Sequence, residues 1–183
     1  MKKLFLLLFL LAFASFILVG CTPEIPCVGA GVLNGDFETN NFSEWIVENS
    51  GTFPQVQSSQ VYTGSYAAYM GDGAEGLDAP GDNTASIQQT VDIPSCAVNP
   101  ELSVYYLVDG NDGDYCNEYD NLKFYINGTE ILCVWEDTGD WQEFQHSLNA
   151  YIGTSIILKI SSWTDDDEVT VDYYVDDITI TWE

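Results

Sequence analysis

The chain contains no arginine, and positive charge of any kind is scarce. Its basic residues are Lys2, Lys3, Lys123 and Lys159, and the first two lie in an apolar leader. Beyond that leader two lysines face 29 acidic residues, which leaves a net charge of −27. Such a surface repels phosphate backbones and anionic headgroups. That excludes nucleic acid as a partner, and admits anionic glycans such as pectate only if a cation bridges. Histidine occurs once, at His146 beside Ser147. Neighbouring strand residues point to opposite faces, so these two cannot pair as base and nucleophile. Nucleophile elbow, phosphate loop and zinc motif are all absent. A glycosidase-like pair of carboxylates would have to hide among the acids, and no spacing singles one out. The chain therefore reads as non-catalytic.

High acidity can signal disorder, but 46% of the residues are hydrophobic and 14% aromatic, ample for a core. The acids read as loop decoration that keeps a folded domain soluble and holds cations. A salt-adapted source would produce the same balance.

At the N-terminus, Lys2 and Lys3 precede an apolar run that ends in Leu18-Val19-Gly20-Cys21. That is the anatomy of an export signal. The last four residues resemble the lipobox of bacterial lipoproteins. In that family the Cys thiol receives a diacylglyceryl group and becomes the first residue of the mature chain. The resemblance implies a signal peptide over 1–20, a lipidated Cys21 with a tether to residue 30, and a domain over 31–183. That domain would be held on the cell envelope, facing periplasm or exterior. The other reading is a retained transmembrane helix. Against it, 4–19 is short for the ~20 residues a span needs, and it ends in small residues rather than a charged stop.

Four further cysteines remain: Cys27, Cys96, Cys116 and Cys133. An even number in an exported domain suggests two disulfides, and no C-x-x-C spacing supports a metal site instead. Of the three possible pairings, Cys116–Cys133 is favoured because the two flank one predicted hairpin. Cys27–Cys96 then follows by elimination.

Period-two alternation dominates the rest, and helical periodicity is nearly absent. Ile87, Gln89, Val91 and Ile93 alternate against Gln88, Thr90 and Asp92. Leu102, Val104, Tyr106 and Val108 alternate against Ser103, Tyr105 and Leu107. Leu122, Phe124 and Ile126 form a third such face, Ile156, Leu158 and Ile160 a fourth, and Ile178, Ile180 and Trp182 a fifth. Asn127-Gly128 between two such runs signals a type I′ hairpin, and residues 147–151 suggest one helical turn. About nine or ten strands at this spacing predict an all-β, antiparallel β-sandwich of one domain.

Several segments occur in an order that resembles a known family. They are Asn34-Gly35-Asp36-Phe37-Glu38, Trp45, Thr63-Gly64-Ser65-Tyr66-Ala67-Ala68, the 87–94 strand, Leu102-Ser103-Val104-Tyr105-Tyr106, Trp141 with the 148–153 segment, and Tyr174-Val175-Asp176-Asp177-Ile178. Together they are similar to the jelly-roll β-sandwiches of carbohydrate-binding modules and their galactose-binding-like and MAM-like relatives. The resemblance covers 31–183 and bears on fold more than on ligand. It also implies a structural calcium ion, with ligands at Glu38, Asp176, the region of Ser65 and the Asp36 carbonyl. Calcium takes six to eight oxygens from a loosely constrained cage. By alternation Asp176 shares a strand face with Ile178 and Ile180, where a buried carboxylate needs a cation or strong hydrogen bonds. The acidic runs at 109–114 and 165–168 read as solvated loops. The first lacks the spacing of a helix–loop–helix calcium site.

A sugar-binding face needs exposed aromatic platforms and a few orienting polar groups. The polar faces offer Gln88, Thr90, Tyr105, Lys123, Tyr125 and Lys159. Both remaining lysines are among them, either donating to sugar hydroxyls or neutralising nearby carboxylates. Trp135, Trp163, Tyr115 and Tyr119 are alternative platforms near loops, whereas Trp45 and Trp141 match positions that are usually core in the family. Two functions stay open. One is a lipid-anchored binding module for neutral carbohydrate, and the other is a structural or adhesive surface protein that binds envelope or surface proteins. Metabolic labelling with a palmitate analogue is expected to mark the wild-type protein and not Cys21→Ala; equal absence of label in both would exclude the anchor.

Overall fold

A computed structural model describes residues 27–50, 54–71, 83–110, 116, 120–164 and 171–183. The leader with Cys21, the start of the tether, Tyr115, Tyr119, the 165–168 acids and most of the 109–114 turn lie outside the described residues.

Ten strands are present: β1 (Ile46–Ser50), β2 (Gln55–Gln57), β3 (Ala67–Tyr69), β4 (Asn83–Asp92), β5 (Glu101–Asp109), β6 (Asn121–Ile126), β7 (Thr129–Val134), β8 (Gln142–Ser147), β9 (Ser155–Thr164) and β10 (Asp172–Thr181). They form two five-stranded sheets, one in the order β1-β4-β9-β6-β7 and the other β2-β3-β10-β5-β8. Every pairing is antiparallel. The chain crosses repeatedly between the sheets, as a jelly roll requires, and a single 3-10 turn spans Asn149–Tyr151.

The sandwich is held by one core. Ile87, Leu102, Val104, Leu122, Phe124, Ile126, Ile156, Leu158, Ile160, Tyr173 and Val175 are buried there together with Phe37 and Trp45. Each side chain of this size contributes roughly 1.5–3 kcal/mol when removed from water, so the alternating faces account for sheet-on-sheet packing. Leu107 departs from the pattern. It lies on the outward side of β5, yet Tyr69, Tyr174 and Trp141 cover it in a second, smaller cluster.

The β6–β7 hairpin turns at Asn127 and Gly128, whose φ values of 51° and 78° are both positive. That is the geometry a type I′ turn demands. Asn127 Oδ1 also accepts the Ile157 N–H, which ties the turn to β9. Both disulfides form as read from the sequence: Cys27–Cys96, with Cα atoms 5.6 Å apart, and Cys116–Cys133, at 5.9 Å.

Two strands break their own alternation: β7 holds Ile131 as an extra residue between the Phe124–Leu132 and Tyr125–Glu130 pairs, and β10 does the same near the 62–66 segment. The register of β10 against β5 shifts between Asp176 and Thr179, and Asp177 sits at a φ of 45°. The bulge adds a residue, so core-facing Tyr173 and Val175 are followed in the core by Ile178 and Ile180. Asp176, opposite Tyr105, therefore lies on the outward side of the sheet. It does not share a face with Ile178 and Ile180, as unbroken alternation had it.

Candidate functional site

The outer face of the first sheet carries a row that crosses all five strands. Cross-strand partners bring together Ile46, Gln88, Lys159, Tyr125 and Glu130 in that order. The neighbouring row holds Ser86, Ser161 and Lys123. Paired residues in adjacent strands share a face at about 5 Å, so Gln88, Lys123, Tyr125 and Lys159 form one surface. A cavity of about 360 Å³ opens on it, lined by Gln88, Tyr125, Gly128, Ile157, Lys159 and Ser161. Desolvation, and then the Glu130 carboxylate, hold the Tyr125 phenol above its ordinary pKa. Lys159 Nζ lies 3.4 Å from Glu48 and Lys123 Nζ 3.7 Å from Glu130. Each lysine is thus matched to a carboxylate, and Asp92 further along β4 is a third carboxylate on this face. A second cavity, of about 530 Å³, adjoins at Gln88 and runs between β4 and the 28–33 segment.

Tyr105 is not part of this surface. It belongs to the second sheet, where its ring stacks on Tyr62 with centroids 3.7 Å apart, and Trp141 follows at 5.8 Å from Tyr62. A hydrogen bond with Tyr62, then desolvation and the charge of Glu143, raise the Tyr105 hydroxyl to about 12. Thr90, two residues beyond Gln88 on β4 and opposite Ile157, shares the first face, so the candidate ligand residues divide five to one between opposite faces. Trp45 is buried in the core, its Nε1 donating to the Asn34 carbonyl. Trp141 is not in the central core and joins the outward aromatic cluster. The sequence held a signal for this: Trp141, Glu143 and Gln145 are two apart, so alternation places the indole with polar neighbours. Trp163 lies opposite Thr84 and Asn121 in the first sheet. Trp135 helps line a cavity of about 320 Å³ beyond β7. His146 is opposite Leu102 on edge strand β8.

Glu38 and Asp176 both reach the short segment 62–66. Glu38 Oε1 accepts the N–H groups of Ser65 at 2.7 Å and Tyr66 at 2.9 Å. Asp176 Oδ2 accepts those of Tyr62 at 3.0 Å and Thr63 at 3.2 Å, and its Oδ1 accepts the Asp177 N–H at 2.8 Å. Asp36 lies beside them, its Oδ1 3.4 Å from the Glu38 nitrogen. Gly64 is required here. Its φ is +70°, and a Cβ would fall 2.3 Å from Glu38 Oε1. Asp176 is fully buried, and desolvation raises its pKa to about 6 against the lowering by its N–H donors. No group of three His, Cys, Asp or Glu side chains among the described residues is arranged to hold a metal. A cation at this place would have Glu38 and Asp176 as carboxylate ligands, of the oxygen type that calcium accepts, on side chains that here accept the N–H groups of 62–66.

The chain matches no protein-family model and none of the curated proteins. Solved structures do match. TmCBM61 in complex with β-1,4-galactotriose is 16% identical, with a TM-score of 0.58 over 83% of this chain and 97% of that one. The CBM22-1–GH10 modules of Clostridium thermocellum xylanase 10B, complexed with xylohexaose, are 17% identical with a TM-score of 0.51, over 84% of this chain and 28% of theirs. The K3 cleaved adhesin domain of Lys-gingipain from Porphyromonas gingivalis W83 is 16% identical with a TM-score of 0.52, over 83% of this chain and 99% of that one. At these identities the likeness establishes the β-sandwich fold.

Asp176→Ala would leave three backbone N–H groups without their acceptor, and is expected to lower stability by at least about 2 kcal/mol in urea unfolding. Asp176→Asn keeps a carbonyl acceptor and should cost less. Gly64→Ala should destabilise by a comparable amount, because both its backbone conformation and the space beside it forbid a methyl group.

Proposed function

We propose that this protein is a lipid-anchored envelope protein whose domain binds neutral carbohydrate without catalysis, on the outer face of the first sheet. The observation that carries the reading is the row Gln88–Lys159–Tyr125 beside a cavity of about 360 Å³. Its volume is that of a small-ligand site, with an aromatic ring, an apolar wall at Ile157 and amide, hydroxyl and ammonium donors. The matching of both lysines to carboxylates favours an uncharged ligand, since a charged one would have to break a pair. The carbohydrate-binding modules among the similar structures support the same reading.

A second reading has its own support. The adhesin domain of similar fold supports an adhesive use of this architecture. The aromatic shelf of Tyr62, Tyr105 and Trp141 on the second sheet would serve such a contact, because aromatic residues are enriched at interface centres.

The calcium ion implied by the sequence resemblance belongs to this proposal, at the 62–66 segment with Glu38 and Asp176 as its carboxylates. Its support is the convergence of two carboxylates on this one segment, compensated by backbone N–H groups and by no lysine: Lys123 and Lys159, the two lysines beyond the leader, pair with Glu130 and Glu48 on the other sheet. A bound cation would offset the desolvation of Asp176 and tie β10 to the loop before β3.

On a glycan array the domain is expected to bind neutral oligosaccharides. Tyr125→Ala should weaken that binding about tenfold in calorimetry, equivalent to about 1.4 kcal/mol, while Tyr105→Ala should leave it unchanged. A silent array together with specific capture of envelope proteins would replace this reading with the adhesive one. Calcium is expected to raise the unfolding temperature by several degrees and chelator to reverse the shift; calorimetry without calcium heat and without such a shift removes the ion.

A further inference from the structure

Three segments without a charged residue meet at one end of the sandwich: 27–31, the β4–β5 connection at 93–100 and the 147–154 segment that contains the 3-10 turn. Backbone hydrogen bonds join the last two: Ile93 donates to Thr154, Gly153 to Ile93, and Leu148 to Pro100. The first is attached by the Cys27–Cys96 disulfide and by Trp182 Nε1, which donates to the Cys27 carbonyl. Gly29 packs so closely on Trp182 and Pro94 that a Cβ would fall within 2.6–2.7 Å of their atoms. None of these residues is charged, in a chain that is 18% charged. Carboxylates flank these segments: Glu183 exchanges two backbone hydrogen bonds with Val98, Glu44 and Asp92 line a cavity with Val28 and Gly29, and Glu101 opens β5.

The same end displays apolar side chains to solvent. Val28 is 80% exposed, Val98 51% and Ile152 37%. Trp182 and Tyr151, both half-buried, stand among them, and such rings favour the level of lipid headgroups. The opposite end differs sharply. There the strand ends carry Asp109 and Asp172, which face each other across β5 and β10, and Asp120 stands immediately before β6.

The described chain begins at this neutral end. Six peptide units separate Cys21 from Cys27, and at about 3.3–3.6 Å each they span at most roughly 20 Å. Ten-residue strands such as β9 make the sandwich about 33 Å long. We propose that the neutral end of the sandwich, with Val28, Val98 and Ile152 at its tip, rests on the membrane to which Cys21 is anchored. The strands then rise from the bilayer, the acidic end points away, and both outer sheet faces stay open to ligand. The fitting partner is a zwitterionic lipid surface, because the exposed apolar side chains gain from burial at the interface, while the flanking carboxylates and the lack of a lysine disfavour anionic headgroups. This inference rests on the lipid-anchored reading of Cys21.

The test uses the lipidated full chain in phosphatidylcholine vesicles, with ordinary or dibrominated acyl chains. Tryptophan is introduced singly by Val98→Trp or Ile152→Trp at the neutral end, or by Glu136→Trp at the other end. Extra quenching by brominated lipid, relative to the wild-type chain, is expected at 98 and 152 at no less than twice that at 136. A chain that floats with the vesicles but shows equal or absent quenching at all three positions overturns the orientation and leaves the anchor standing. A wild-type chain that fails to float, like Cys21→Ser, overturns both. A detergent-solubilised dimer that Val98→Asp dissociates assigns this end to a second copy and overturns the lipid contact.

Discussion

A strand delivers alternate side chains to opposite sides, and both sheets of a sandwich must give one side to the same dry core. Everything else in this molecule is built within that constraint. Ile87, Leu102, Phe124, Leu158 and Ile160 take the inner positions, so Gln88, Ser103, Tyr125 and Lys159 are left on the outside. The outer faces are therefore the part of each strand that packing does not dictate, and recognition residues can collect there. Function is placed by the same parity that makes the core.

Parity is broken in β7 and in β10, and the β10 bulge is the one that shapes the loop region. By inserting one residue at Asp177 it lets Val175 and Ile178 both face the core, and it turns Asp176 out of the core and under the segment 62–63. An ionised carboxylate in such a place is tolerated because three N–H groups converge on it. Glu38 performs the corresponding task for Ser65 and Tyr66. The two carboxylates thereby join the first loop of the domain to its last strand. That connection is long-range in sequence and short in space. Bulges of this kind commonly re-aim a side chain beside a functional feature.

Much of the fold was legible in order of residues alone. Five alternating runs appear as strands with the inner residues as read, the Asn-Gly pair turns the β6–β7 hairpin, and the cysteines pair as hairpin logic and elimination required. Two features lie beyond alternation. Extending the phase of Ile178 and Ile180 backwards puts Asp176 on the inner face, whereas Tyr173 and Val175 run in the opposite phase. Tyr105 and Tyr125 both lie on polar strand faces, but alternation does not say which of two sheets a strand joins.

Sequence by itself determined composition-level facts: an acidic surface with almost no positive charge, one all-β domain, two disulfides, and which side of most strands is dry. These depend on local periodicity and residue chemistry, which act within a few residues. Only the tertiary structure decided that Gln88, Tyr125 and Lys159 are neighbours while Tyr105 faces the other way, and that three uncharged segments far apart in sequence meet at one end. Those outcomes follow from the crossing of strands between the sheets and from their register. Both are set by cooperative packing of residues distant in the chain, and pattern within any single strand leaves them open.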